Sequence, residues 1–206
     1  MSEDTKRKPG RPKGTKLNGR KRVLTVDEVR RLKDAADAMG PKYGLIIRLT
    51  LELALRVHEV VRLKIEDFNA FSRPHQVHIV GAKEGRRITY DLPDRLWARY
   101  AKWLKVREPK DSPWVFPNRL YSHDEHMTEM GVQGTFRVLC RRAGIEGKHS
   151  IHDLRHTAAT WMAQNGDSAA QIAGRLRHRS LVSAQVYIDF TDNKAHDRVM
   201  IARYED

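Results

Sequence analysis

One stretch of six residues is dense in groups that can work on a phosphate: His152-Asp153-Leu154-Arg155-His156-Thr157. On a helix, residues three apart share a face, so His152 and Arg155 can meet one phosphate together. Breaking a nucleic-acid backbone without water needs three things. They are a nucleophile that keeps the phosphate covalently, cations for the non-bridging oxygens, and an acid for the leaving oxygen. A phenol can serve as that nucleophile; the phosphodiester energy then stays in the new bond and no ATP is needed. Taken alone, the segment reads equally well as a basic helix end with solvated side chains.

Such groups need a scaffold. Thr25 and Glu28 fit a capping box, and Val26, Val29, Leu32 and Ala36 follow at helical spacing, which predicts a helix over 26–38 ending at Gly40-Pro41. A more apolar helix is expected from Tyr43 through Leu55, and a short one through Leu63 before a turn at Glu66-Asp67. Strand signals sit in one place. Val77, Ile79 and Val80 face a partner from Arg87 to Leu92 across the hairpin loop Gly81-Ala82-Lys83-Glu84-Gly85. Pro93 opens a helix carrying Leu96, Trp97, Tyr100, Trp103 and Leu104, and further helical runs lie near 128–142, 151–165, 168–176 and 180–189. The expected fold is mostly α with a small antiparallel β-sheet, over a domain spanning 23–190. A C-terminal tail segment, 191–206, is expected to pack on a neighbouring subunit.

The charge points to a polyanion. The 206 residues carry a formal net charge of +13, and the first 22 hold nine basic residues against Glu3 and Asp4, so more than half of the excess sits there. Those 22 residues contain no valine or isoleucine and one leucine, Leu17, too little apolar surface to fold alone. They are expected to be a disordered basic arm. Cys140 is the one cysteine, which excludes an intrachain disulfide and points to a cytoplasmic protein. No stretch approaches the roughly 18 apolar residues of a membrane span, so no membrane partner is expected.

The order of the motifs is more specific than any one of them. Ala54-Leu55-Arg56-Val57-His58-Glu59 is followed by Leu63 and Asp67; then come Lys83-Glu84-Gly85, the His152 segment, and Leu176-Arg177-His178, with Tyr187 nine residues after His178. Together these resemble the signature boxes of the tyrosine recombinase (phage integrase) family, from about Leu24 to Phe190. The resemblance implies a DNA-cleaving and rejoining enzyme with Arg56 and Arg155 clamping the scissile phosphate. Lys83 would protonate the leaving 5′ oxygen, His152 would assist proton transfer from the tyrosine, and His178 would hydrogen-bond a phosphate oxygen. Tyr187 would form a 3′-phosphotyrosyl link, and Glu59 would orient Arg56. It also implies no cofactor or metal, specific recombination sites in double-stranded DNA, a homo-tetramer on paired sites, and accessory DNA-bending proteins.

Two positions depart from the family pattern: Ala54 and Arg177 stand where glycine is usual. Arg177, with Arg86 and Arg87, is expected to touch DNA. The arm's Lys8-Pro9-Gly10-Arg11-Pro12-Lys13-Gly14 resembles an AT-hook, with Lys8, Arg11 and Lys13 in or beside a narrow minor groove; a generic phosphate-binding arm is the equal alternative. The layout is similar to the short fimbrial-switch recombinases, and the arm is expected to replace part of the clamp that a separate core-binding domain gives other integrases. Zinc held by Cys140, His149, His152 and His156 lacks the required spacing. His58, His75, His78 and His123 read as surface or hairpin residues, and Trp97, Trp103, Trp114 and Trp161 as core. Rival readings are a type IB topoisomerase or resolvase-like enzyme, a catalytically inactive DNA-binding regulator, and a basic RNA-associated protein.

Overall fold

The computed structural model describes residues 23–80, 87–118, 125–178 and 180–192. Helix α1 (Val26–Met39) begins with the expected box: the Thr25 hydroxyl accepts the Glu28 N–H, and the Glu28 carboxylate accepts the Thr25 N–H. Helix α2 (Pro41–Glu52) starts earlier than expected because Pro41 needs no N–H donor in a first helical turn. It also stops earlier, since Ala54 turns into the left-handed region at φ 48°. Leu45, Ile46, Ile47, Leu49 and Leu51 bury α2 on nearly all sides, and α1, α4 and α6 pack around it.

Helix α3 (Val57–Val61) follows, then a 3-10 turn at Ile65–Asp67. Strands β1 (Phe68–Asn69), β2 (His75–Val80) and β3 (Arg87–Leu92) form an antiparallel sheet in that order, with Val77 opposite Tyr90 and Ile79 opposite Ile88. Alternation buries His75, Val77 and Ile79 on one face. His75, read as a surface or hairpin residue, lies in hairpin strand β2 with its side chain buried, and it stacks on Trp97 with ring centroids 3.9 Å apart. Trp103 and Trp161 are buried as expected, whereas Trp97 and Trp114 are half-buried.

The rest is helical: α4 (Asp94–Val106), α5 (Glu129–Arg142), α6 (His152–Gln164), α7 (Ala169–Leu176) and α8 (Val182–Asp192). Pro93 caps α4 rather than forming its first turn. α6 packs between α2 and α8, and α7 packs on both α6 and α8. The two segments bearing the His-x-x-Arg box and Tyr187 are thereby brought side by side, next to the loop that leads into Arg56. The basic arm, the hairpin loop with Lys83 and Arg86, His123, and the expected tail segment beyond 192 lie outside the described residues.

Candidate active site

Arg56 is the N-cap of α3, and the backbone there is held by its own helix. Glu59, three residues on, accepts the Arg56 backbone N–H at 2.7 Å and the Arg56 Nη1 at 3.0 Å. The Glu59 side chain is fully buried, while that of Arg56 is 31% exposed. The carboxylate thus holds both the backbone and the guanidinium of Arg56, whose side chain stays partly exposed.

Arg155 lies on the face of α6 turned toward this loop and is buried. Its Nη1 donates to the Ala54 carbonyl and its Nη2 to the Leu176 carbonyl, so one guanidinium ties the loop before α3 to the end of α7. Burial, then the nearby charges of Arg56 and Arg177, push it down to about 9. It therefore remains cationic at neutral pH. Glu59 and Tyr187 act on it in the opposite direction, which puts all five groups within one electrostatic neighbourhood.

Tyr187 comes from α8 and is 4% exposed. Burial pushes its phenol above the ordinary range, and the charge of Arg155 works against that. The Tyr187 hydroxyl is 2.7 Å from His156 Nδ1. An unprotonated Nδ1 accepts the phenolic proton, whereas a protonated one donates to a phenolate; both arrangements favour attack by the oxygen. The imidazole beside the phenol is thus His156, not His152. His152 opens α6 with its ring exposed, one turn short of the point where α8 crosses. The i, i+4 spacing of the two histidines was the available signal, but it did not say which turn α8 would meet.

His178 follows α7, half-buried, and its backbone N–H closes the helix on the Ala173 carbonyl at 2.9 Å. Arg87 is exposed at the start of β3, 3.9 Å from Asp67. Beside Glu59 a cleft of about 330 Å³ opens between α3 and the ends of β2 and β3, with Arg62, Lys64 and Arg87 on its walls. Lys83 and Arg86 lie in sequence between β2 and β3, outside the described residues.

Arg177 corrects an expectation. Its side chain is 5% exposed and turned inward onto Glu59, with Nη2 at 2.6 Å from Oε2 and Nε at 3.1 Å from Oε1. A guanidinium so placed has no free face for DNA. Arg177 has φ 53° at the end of α7, which aims its side chain back toward α3.

Three guanidiniums around one carboxylate leave a surplus of positive charge, and the phenol stands beside it. That arrangement can hold a phosphodiester and present a nucleophile to it. Among the described residues no group of three or more His, Cys, Asp or Glu side chains could hold a metal ion, and no helix is long and apolar enough to cross a membrane. His149, one of the zinc candidates, is buried with Nε2 on the Glu146 carbonyl at 2.7 Å.

Comparison with known proteins agrees with the boxes. The chain is 32% identical over 168 residues to the tyrosine recombinase XerA of Pyrococcus furiosus, covering 82% of this chain and 57% of that protein. It is 29% identical to the tyrosine recombinase XerD of Listeria innocua, covering 85% of this chain and 60% of the relative. The chain thus spans about 60% of the length of these curated relatives. Its fold is similar to the crystal structure of XerA recombinase, with a TM-score of 0.73 at 23% identity over 89% of this chain and 66% of that one. The model of the phage integrase family matches residues 22–194, and the chain belongs to that family.

Proposed function

We propose that this protein is a site-specific recombinase that cuts and rejoins DNA strands through Tyr187. The observation that carries the reading is the Tyr187 hydroxyl held by an imidazole beside the Arg56–Arg155 pair. In the proposed step the phenolic oxygen attacks the scissile phosphorus, and its proton passes to His156, with His152 on the same helix assisting the transfer. Arg56 and Arg155 neutralise the non-bridging oxygens, and His178 hydrogen-bonds one of them. The P–O5′ bond breaks, Lys83 protonates the departing 5′ oxygen, and a 3′-phosphotyrosyl link remains. Attack by a 5′ hydroxyl reverses each step, so no high-energy cofactor is consumed.

The partner is double-stranded DNA. The net charge of +13 supports this, as do solved relatives of the same fold, one of them the XerH site-specific recombinase bound to a palindromic difH substrate. A tetramer on paired sites follows from the need for four cuts in exchanging two duplexes. A lambda integrase tetramer bound to a Holliday junction shares the fold at a TM-score of 0.60. Arg86 and Arg87 contact the backbone near the hairpin, accessory bending proteins assist, and the setting is the cytoplasmic nucleoid. The arm, with Lys8, Arg11 and Lys13, grips flanking DNA: deleting residues 1–22 weakens binding and flattens its salt dependence.

The test is covalent trapping. The protein is incubated with nicked duplexes made from the DNA that flanks its own gene, then denatured. A protein–DNA adduct that survives denaturation is expected. Tight binding with no adduct on any duplex would reject the reading.

A further inference from the structure

Glycine is usual where a helix ends in the left-handed region, because a side chain there costs about 1–2 kcal/mol. This chain places an arginine there, at φ 53°, and the side chain is fully engaged. Besides its two bonds to Glu59, Arg177 donates from Nη1 to the Tyr90 hydroxyl at 2.7 Å and to the Arg175 carbonyl at 2.9 Å. It also donates from Nη2 to the Ala54 carbonyl at 2.9 Å. One side chain therefore joins α3, β3, the end of α7 and the loop before Arg56.

Two features of that network bear on the phosphate. First, a buried carboxylate needs a counter-charge. With glycine at 177, Arg56 would be the guanidinium left to supply it, and a phosphate would have to draw Arg56 away. With Arg177 in place, the Arg56 guanidinium makes a single hydrogen bond to Glu59 among the described residues and keeps 31% of its side chain exposed. Second, the carbonyl that Arg177 holds belongs to Ala54, the other non-glycine residue at positive φ among the described residues and also a position where glycine is usual. Arg155 donates to the same oxygen. The loop that sets the direction of Arg56 is thus pinned from two sides.

We propose that Arg177 is a positioning residue of the phosphate clamp: it takes over the Glu59 carboxylate and the Ala54 carbonyl, so that the Arg56 guanidinium stays directed at the scissile phosphate. The inference rests on the reading of Tyr187 as the strand-cleaving nucleophile. Arg177 touches neither DNA nor the phenol and acts through Arg56.

The experiment measures single-turnover adduct formation and duplex binding separately, on the nicked flanking duplexes described above. Arg177→Gly removes the network while easing the backbone. The cleavage rate constant is expected to fall roughly 10- to 100-fold, since a small misplacement of a clamping group costs that much. Duplex affinity should change less than about twofold, because it rests on many phosphate contacts. Ethylguanidinium, which can re-enter beside Glu59, should restore part of the rate, and tetramethylammonium at equal ionic strength should not. Arg177→Lys, with charge but no fork, should recover only partly. Cleavage by Arg177→Gly at the wild-type rate overturns the inference. So does a parallel loss of rate and affinity that ethylguanidinium leaves unchanged. If Arg177→Gly does not fold, Tyr90→Phe removes one anchor of the guanidinium and should slow cleavage several-fold at unchanged affinity; an unchanged rate overturns the inference. Absence of adduct with the wild-type protein overturns the functional reading and the inference with it, whereas wild-type adduct with unaffected variants overturns the inference alone.

Discussion

Replacing Glu59 by glutamine isolates the charge that holds the clamp. The carboxylate is fully buried and accepts four N–H groups, two from Arg56 and two from Arg177. Glutamine keeps one oxygen but turns an NH2 group onto donors, so about two charge-assisted bonds are lost. At about 1.5–3 kcal/mol each, that is about 3–6 kcal/mol. Removing one partner of a buried pair, here leaving the 5%-exposed Arg177 uncompensated, independently costs about 3–5 kcal/mol. The expected loss is therefore about 4 kcal/mol, or roughly 10 °C in Tm for a chain of this size. Urea unfolding at neutral pH measures it. The pH dependence gives a second check. Burial works to raise the Glu59 carboxyl, but the charge and hydrogen bonds of Arg177, with those of Arg56, outweigh it and hold the group below its ordinary value of 4.5. Such a carboxylate stabilises the fold above the unfolded pKa, and the contribution disappears as pH falls through the folded one. Wild type and variant should therefore converge as pH drops below about 5. A loss under about 1 kcal/mol at neutral pH, or a gap that does not narrow in acid, would refute the reasoning.

Three further outcomes follow from the same geometry. Arg155→Lys cannot bridge the Ala54 and Leu176 carbonyls while facing a phosphate, so adduct formation should fall on the order of 100-fold or more in a single-turnover assay. Phe136→Ala, at a 1%-exposed position of α5, should cost about 3–5 kcal/mol in denaturant unfolding by opening a cavity beside Tyr43, Ile46 and Ile47 of α2. His58 is pushed below its ordinary range, chiefly by burial, so its contribution to stability is present above 6.5 and lost as pH falls through the folded value. His58→Gln should therefore flatten the loss of Tm on going from pH 6.5 downward, as followed by a thermal-melt series.

Local signals carried the fold well. The Thr25–Glu28 box, the apolar run of α2 and the period-two strands flanking the hairpin all act over a few residues, and each is in place. Boundaries drifted where one backbone position decides them: α2 stops at Glu52 because Ala54 goes left-handed, which an Ala-Leu-Arg string does not announce. Strand β1 has two residues, too few for alternation to register. In the site, the motif order named Arg56, Arg155 and Tyr187, which come together. It could not say that His156 rather than His152 would meet the phenol, since that depends on where α8 crosses α6. Nor could it show that Arg177 turns inward, because its partner Glu59 is 118 residues away in sequence. A charged residue in a basic chain looks like a DNA contact until a buried carboxylate is found beneath it.

The central claim is that Tyr187 becomes joined to DNA through a 3′ phosphate. Its most direct test is to digest the trapped adduct with protease and nuclease and locate the residual nucleotide by mass spectrometry. The account predicts a nucleotide bonded through its 3′ phosphate to the peptide containing Tyr187, a free 5′ hydroxyl on the released strand, and no adduct from Tyr187→Phe. Attachment at another residue, a 5′-phosphate linkage, or an undiminished adduct from Tyr187→Phe would contradict it.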